Sequence, residues 1–188
     1  MVRLNRIYTR TGDDGSTGLV DGSRVSKADP RIAVIGDVDE VNSLIGVAST
    51  LLAGDDLALL RRIQNDLFDL GADLATPGDD YTPGDMVLRI VAGQIAWLES
   101  TIDRVNGGLA PLTSFILPGG SPAAAALHVA RATARRAERT AVAASATVPL
   151  NPLALTYLNR LSDFLFVFAR HVNQLADGDV LWVPGASQ

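Results

Sequence analysis

Residues able to handle a phosphate chain stand together in Phe115–Ala144, FILPGGSPAAAALHVARATARRAERTAVAA. Ser121 is suited to cap a helix and Pro122 to occupy its first position, where proline's fixed φ fits and its missing N–H would have no intrahelical partner. At about 100° per residue, Arg131, Arg135, Glu138 and Arg139 fall in one stripe roughly 100° wide. Ala126, Ala130, Ala134, Ala137 and Ala141 form the adjacent stripe, whose methyls let another helix approach closely. A row of planar guanidinium forks beside a packed seam suits phosphate or carboxylate recognition. Taken alone, the same row also reads as a solvated charged face.

A second polar set lies in residues 1–28, read as an irregular arm in which only Arg6–Thr11 could make a short extended piece. Gly12, Gly15 and Gly18 permit the backbone turns of an anion nest. Thr9, Thr11, Ser16 and Thr17 add hydroxyls; Arg10, Arg24 and Lys27 add charge. The stretch lacks GxxxxGK[ST] of a phosphate-binding loop and the twelfth-position glutamate of a calcium loop. By itself it reads as a polar N-terminus.

Helices must position these groups. Asp29 and Pro30 open one that runs to about Leu52, with Ile32, Ile35, Val38, Ile45 and Ala48 toward the core and Asp39, Asn42, Ser43 and Gly46 on a small polar stripe. A second, about Asp55–Ala75, repeats Leu60, Ile63, Leu67, Leu70 and Leu74. A third, about Asp85–Asn106, repeats Leu88, Val91, Ile95, Leu98, Ile102 and Val105 before Gly107-Gly108. The arginine helix is fourth. The fifth opens at Asn151-Pro152 and runs to about Ala176, with Leu158, Leu161, Leu165, Phe168 and Val172 core-like and Asn159, Asp163, Phe166 and Arg170 on another stripe. The tail, residues 177–188, is extended or unstructured, with Trp182 its one large anchor. These elements predict an all-α, five-helix up-and-down bundle in a single domain, residues 1–188, with arm 1–28, bundle 29–176 and tail 177–188.

Totals remove several functions. A net charge of −5 argues against general nucleic-acid binding, and no run of 18 apolar residues proposes a membrane span. The first residues lack a signal-peptide core, and the absence of cysteine removes disulfides and thiolate ligands, so a cytoplasmic protein is expected. Of sixteen basic residues only Lys27 is lysine. His128 and His171 lack the Glu-x-x-His pattern of di-iron bundles and are read as helix-surface or core-edge residues. No metal site built from protein side chains is expected. A Gly/Thr-rich arm, a lone lysine and an arginine helix together suggest a polyphosphate site.

Seven stretches carry a resemblance: TRTGDDGSTGL, RVSKAD, GDVDEVNSLIG, QNDLFDLGADLATP, FILPGGSP, ARATARRAER and LNRLSDFLFVFAR. Spread from residue 8 to about residue 170, they resemble in order and spacing the PduO-type ATP:corrinoid (cob(I)alamin) adenosyltransferases. The resemblance implies a homotrimer with active sites at subunit interfaces, transferring the 5′-deoxyadenosyl group of ATP to the cobalt of cob(I)alamin and releasing triphosphate. ATP and cobalamin would be substrates, with Mg²⁺ held through the ATP phosphates and a cobalamin-dependent client enzyme as a further partner. Thr9, Arg10, Thr11, Gly12, Thr17 and Gly18 would wrap the phosphates and Lys27 would add a cation. Arg135, Arg136, Glu138 and Arg139 would form the helical wall of the nucleotide site, met by Asn159. Arg131 would pair with Asp39 of a neighbouring subunit, and Phe115 would stand against the corrin. Arg10 replaces the lysine of many members, keeping charge but not geometry. Trp182 could take the role that a C-terminal phenylalanine has in some of them. A non-catalytic binder of nucleotide and corrinoid would share the arginine helix and the arm, whereas a bare helical scaffold would leave the polar stripes unexplained.

Overall fold

The computed structural model describes residues 8–85 and 87–187. Two three-residue strands, β1 (Ser16–Gly18) and β2 (Arg24–Ser26), precede five helices: α1 (Pro30–Ser49), α2 (Gly54–Leu74), α3 (Ala92–Asn106), α4 (Pro122–Ala144) and α5 (Pro152–Gln174). The chain is mostly helical, as its apolar periodicity requires. Of the extended piece expected at Arg6–Thr11, residues 8–11 form no strand and residues 6 and 7 lie outside the described residues. The strands sit further on, antiparallel, with Thr17 opposite Val25.

Three helices start the same way. Asp29, Ser121 and Asn151 accept from the N–H groups of Arg31, Ala124 and Leu153 at 2.8, 3.2 and 3.0 Å, each with proline next in sequence. A side-chain oxygen there satisfies an N–H the helix cannot, and proline supplies none to satisfy.

α3 starts seven residues later than its periodicity suggests, and Leu88 and Val91 are exposed. The cause is Asp73 on α2, only 2% exposed, which accepts from Ile90 N and Arg89 Nη1 at 2.8 Å each and from Asn151 Nδ2 at 2.7 Å. A buried carboxylate demands these partners, so residues 87–91 run extended to supply them and Ile90 enters the core in place of its neighbours.

Packing places α4 between α1 and α5; α1 also packs on α2, and α5 on α3 and α2. The close approach follows from side-chain size: Ala130, Ala134, Ala137 and Ala141 are fully buried on α4. Opposite them lie Val34, Val38, Val41 and Ile45 of α1 and Leu158, Leu161 and Leu165 of α5, all in one core. A larger side chain in that alanine seam would overpack it, typically at about 1–3 kcal/mol. At one pole Arg31, 4% exposed, donates to the carbonyls of Leu74 and Pro149 and ties α1, the end of α2 and the α4–α5 turn together.

Candidate active site

Alanine burial on one side of α4 turns the other side outward. Arg135 and Arg139 are exposed there and Arg131 is half-buried. Among the described residues none of the three meets a carboxylate; Arg139 Nη1 donates instead to the carbonyl of Arg135 at 3.0 Å, and Arg131 Nε is buried with no hydrogen-bond partner. Burial, and then the neighbouring Arg135 guanidinium, push the pKa of Arg131 down. Three adjacent cations without a counter-charge are an anion site by electrostatics alone. A cavity of about 530 Å³ runs beside them, lined by Pro118, Val129, Arg131, Arg136 and Arg139 among others.

Arg136 is different. It pairs with Glu40 and lies 3.6 Å from Asp37 Oδ1, both on α1, while Thr140 donates to Asp37 Oδ2 at 2.6 Å. On the α5 side Asn159 Nδ2 donates to Glu138 Oε1 at 2.8 Å, and Arg160 donates to Asn159 Oδ1 at 2.6 Å and to Glu99 of α3 at 2.7 Å. Glu138 therefore faces Asn159 and leaves the arginine row positive. Arg160 is the member of this set that sequence reasoning misses; its neighbour Asn159 is the only hint.

The arm gathers the residues expected of it. Lys27 Nζ donates to the carbonyl of Gly12 at 2.8 Å, Arg24 to Ser16 Oγ and to the carbonyl of Thr11, and the Thr9 and Thr11 hydroxyls are 2.9 Å apart. A side chain at residue 12 would meet Ser16 O at 3.1 Å and Lys27 Nζ at 3.2 Å, a tight fit that glycine relieves. Arg10 has φ of 63° and its guanidinium lies 5.7 Å from the Tyr8 ring; such a conformation is uncommon without glycine and costs about 1–3 kcal/mol. Thr17 and Gly18 lie in β1, half-buried and exposed. The arm is tied to the bundle by Val20 N donating to the Ala75 carbonyl at 3.0 Å, at the end of α2. No hydrogen bond or ion pair among the described residues joins it to α4 of the same chain. Asp39, likewise, is exposed on α1, beside an apolar groove of about 470 Å³ that includes Phe68, and makes no ion pair among the described residues.

Phe115 is 78% exposed. The tail pairs with its segment: Leu117 N donates to the Val180 carbonyl at 2.8 Å, Ile116 bridges Leu181, and Trp182 N donates to the Phe115 carbonyl at 2.7 Å. The two rings meet edge-on with centroids 6.0 Å apart. Trp182 thus joins Phe115 in one aromatic wall. His128 lies on the same end of α4, 4% exposed, both ring nitrogens without partners; burial first, then Arg131, lowers its pKa, against a smaller opposing effect of Asp179. His128 is core rather than surface, the inner of the two positions its spacing allows.

The site is thus a helical bundle with a row of arginines that meet no carboxylate among the described residues, and with an exposed aromatic pair on the segment that leads into the same helix. The cobalamin adenosyltransferase family description matches residues 7–172. Over 191 residues, 100% of this chain and 97% of the relative, the chain is 53% identical to a corrinoid adenosyltransferase of Mycobacterium tuberculosis. It superposes with a TM-score of 0.86 and 39% identity on a phenylalanine-to-alanine variant of the PduO-type ATP:corrinoid adenosyltransferase from Lactobacillus reuteri complexed with cobalamin and ATP, covering 94% of this chain and 99% of that one. An arginine-to-lysine variant of the same type and organism, complexed with ATP, gives 0.84 and 40% over 95% and 100%. The chain belongs to the cobalamin adenosyltransferase family, in its PduO-type branch.

Proposed function

We infer that this chain is an ATP:corrinoid adenosyltransferase: it transfers the 5′-deoxyadenosyl group of ATP to the cobalt of cob(I)alamin, giving adenosylcobalamin and triphosphate. The observation that carries the reading is the row Arg131, Arg135 and Arg139, three guanidiniums that meet no carboxylate among the described residues, beside a cavity that Arg131 and Arg139 line together with Pro118, three residues on from exposed Phe115.

In the reaction the cobalt electron pair attacks C5′, the Co–C bond forms, and the C5′–O bond breaks with its electrons leaving on triphosphate. The nucleophile belongs to the substrate, so the protein needs no covalent residue of its own. Its work is alignment and stabilisation of charge on the departing phosphates. Arg135 and Arg139, with Arg136 at the edge, would hold that charge, Glu138 and Asn159 the nucleoside end. Thr9, Arg10, Thr11, Gly12, Thr17, Gly18 and Lys27 would close over the phosphates. Phe115 and Trp182 would form the apolar face that keeps a lower ligand off cobalt, which favours its lowest oxidation state.

Because the described part of the arm hydrogen-bonds the end of α2 and makes no hydrogen bond or ion pair with α4 of its own chain, the complete site is proposed to form between copies, in a homotrimer, with Asp39 of one copy supplying a carboxylate to Arg131 of the next. Mg²⁺ is proposed to be held through the ATP phosphates rather than by side chains of this chain. One adenosyltransferase domain over residues 1–188, a cytoplasmic location and hand-over to a cobalamin-dependent client enzyme belong to the same proposal. No helix among the described residues is long and apolar enough to cross a membrane.

The test is direct. Protein, Mg-ATP and chemically reduced cobalamin are mixed and the visible spectrum followed. Appearance of the adenosylcobalamin spectrum supports transfer; a spectrum that stays that of the starting corrinoid, despite ATP binding, leaves a carrier.

A further inference from the structure

The aromatic wall stands on a single buried amide. Asn173, near the end of α5 and 1% exposed, accepts from Ser121 N at 3.0 Å through Oδ1 and donates through Nδ2 to the Gly119 carbonyl at 3.0 Å and to Asp179 Oδ1 at 3.4 Å. One turn earlier Arg170, 7% exposed, donates to Asp179 Oδ2 at 2.9 Å and to the Ala110 carbonyl at 2.8 Å. Gly119 follows residues 115–117, and Asp179 precedes residues 180–182. These are the two short extended segments that pair through Leu117–Val180, Ile116–Leu181 and Trp182–Phe115. Both segments therefore leave one fixed point, and their far ends carry Phe115 and Trp182, about 13 and 10 Å away at roughly 3.3 Å per residue.

The fit at that point is tight. Gly120 has φ of 101°, and a side-chain carbon added there would sit 2.3 Å from Asn173 Oδ1. Only glycine permits both the turn and the contact.

We propose that Asn173, with Asp179, is a positioning residue for the corrin face of the site: it sets the placement of the Phe115–Trp182 pair and so the preparation of cobalt for reduction, without touching substrate. The proposal rests on the adenosyltransferase reading. Replacing the amide by a carboxylate keeps an acceptor for Ser121 but loses both donors and sets charge against Asp179. The wall would shift while the nucleotide face, held on α4 and the arm, stays as it is.

The experiment compares conversion of cob(II)alamin under reductant with conversion of pre-reduced cob(I)alamin, for the wild type, Asn173→Asp, Phe115→Ala and the double variant. Expected for Asn173→Asp is a loss of roughly tenfold or more from cob(II)alamin, less than about threefold from cob(I)alamin, and an ATP KM within about twofold of wild type. In the Phe115→Ala background the same substitution should add less than about twofold, because interacting residues are non-additive. Equal losses from both corrinoid states, or full additivity with Phe115→Ala, overturn the proposal and leave Asn173 a stability residue. If Asn173→Asp does not fold, Asp179→Asn on the peripheral tail is measured in its place: the same skew toward loss from cob(II)alamin supports the proposal, and equal losses overturn it. A wild type that makes no adenosylcobalamin from either state sinks the underlying activity instead, a different result.

Discussion

Arg135 and Arg136 are adjacent on α4, yet Arg136 reaches Glu40 and Asp37 of α1 whereas Arg135 meets no carboxylate among the described residues. One guanidinium is paired within the chain, and the other is the one the proposed reaction assigns to the phosphates. Arg135→Ala should therefore remove a charge-assisted contact to the leaving triphosphate, costing about 2–4 kcal/mol in the transition state, or roughly 30- to 1,000-fold in turnover. Arg136→Ala should cost far less in turnover, since its guanidinium is already paired with Glu40 and Asp37 and lies only at the edge of the proposed site. Steady-state rates with Mg-ATP and cob(I)alamin check both; equal losses would remove the distinction.

Asp39 stands exposed without an internal partner among the described residues, and Arg131 has a buried unpartnered Nε. If each is the other's partner across subunits, Asp39→Asn should weaken assembly or substrate affinity, and Arg131→Lys should do the same through loss of the guanidinium fork. Sedimentation of the variants, beside their KM values, measures this. A trimer unchanged in both respects would place Arg131 opposite some other group.

His128 predicts a pH effect with a definite sign. Its folded pKa lies below the ordinary value of 6.5, chiefly through burial. Above about pH 6.5 both folded and unfolded chains carry a neutral ring, and the group does not affect stability. As pH falls below 6.5 the unfolded chain takes up the proton first, so stability is lost until the folded ring also titrates. His128→Leu should flatten that acid limb. Denaturant midpoints at pH 5 and pH 7.5 give the comparison, and an equally steep wild type and variant would exclude the ring as its source.

Asp73 should be the most costly change remote from the surface. Its carboxylate is the partner of Arg89, Ile90 N and Asn151 at once, and Arg89 itself is 6% exposed. Removing one member of such a buried pair costs about 3–5 kcal/mol. Asp73→Ala should lower the denaturant midpoint steeply while Arg135→Ala leaves it near wild type.

The helices are legible in the sequence because their signals are local: a capping side chain, a following proline and leucine at alternating spacings of three and four. The start of α3 is not, since Leu88 and Val91 keep the helical period while Asp73, far earlier in the chain, claims the backbone beside them. No local pattern announces that a distant carboxylate lacks partners. The site is legible where charges line one helix, as at Arg131, Arg135 and Arg139. Asn173 is hidden, because a single amide in an apolar helix looks alike whether it faces solvent or holds a turn. Trp182 lies in a tail without periodicity, and hydrogen bonds between residues 114–117 and 180–182 give it a place. The spacing of His128 allows either edge or surface, and the crowding of α4 by its neighbours decides for the interior.

Arg31 fastens three chain segments where the arm emerges from the bundle. A leader anchored to such a clamp can swing without loosening its own mooring, so capture of nucleotide need not be relayed through the helices. Amide exchange should then slow along residues 9–27 when Mg-ATP is added, while the mooring exchanges at one unvarying rate.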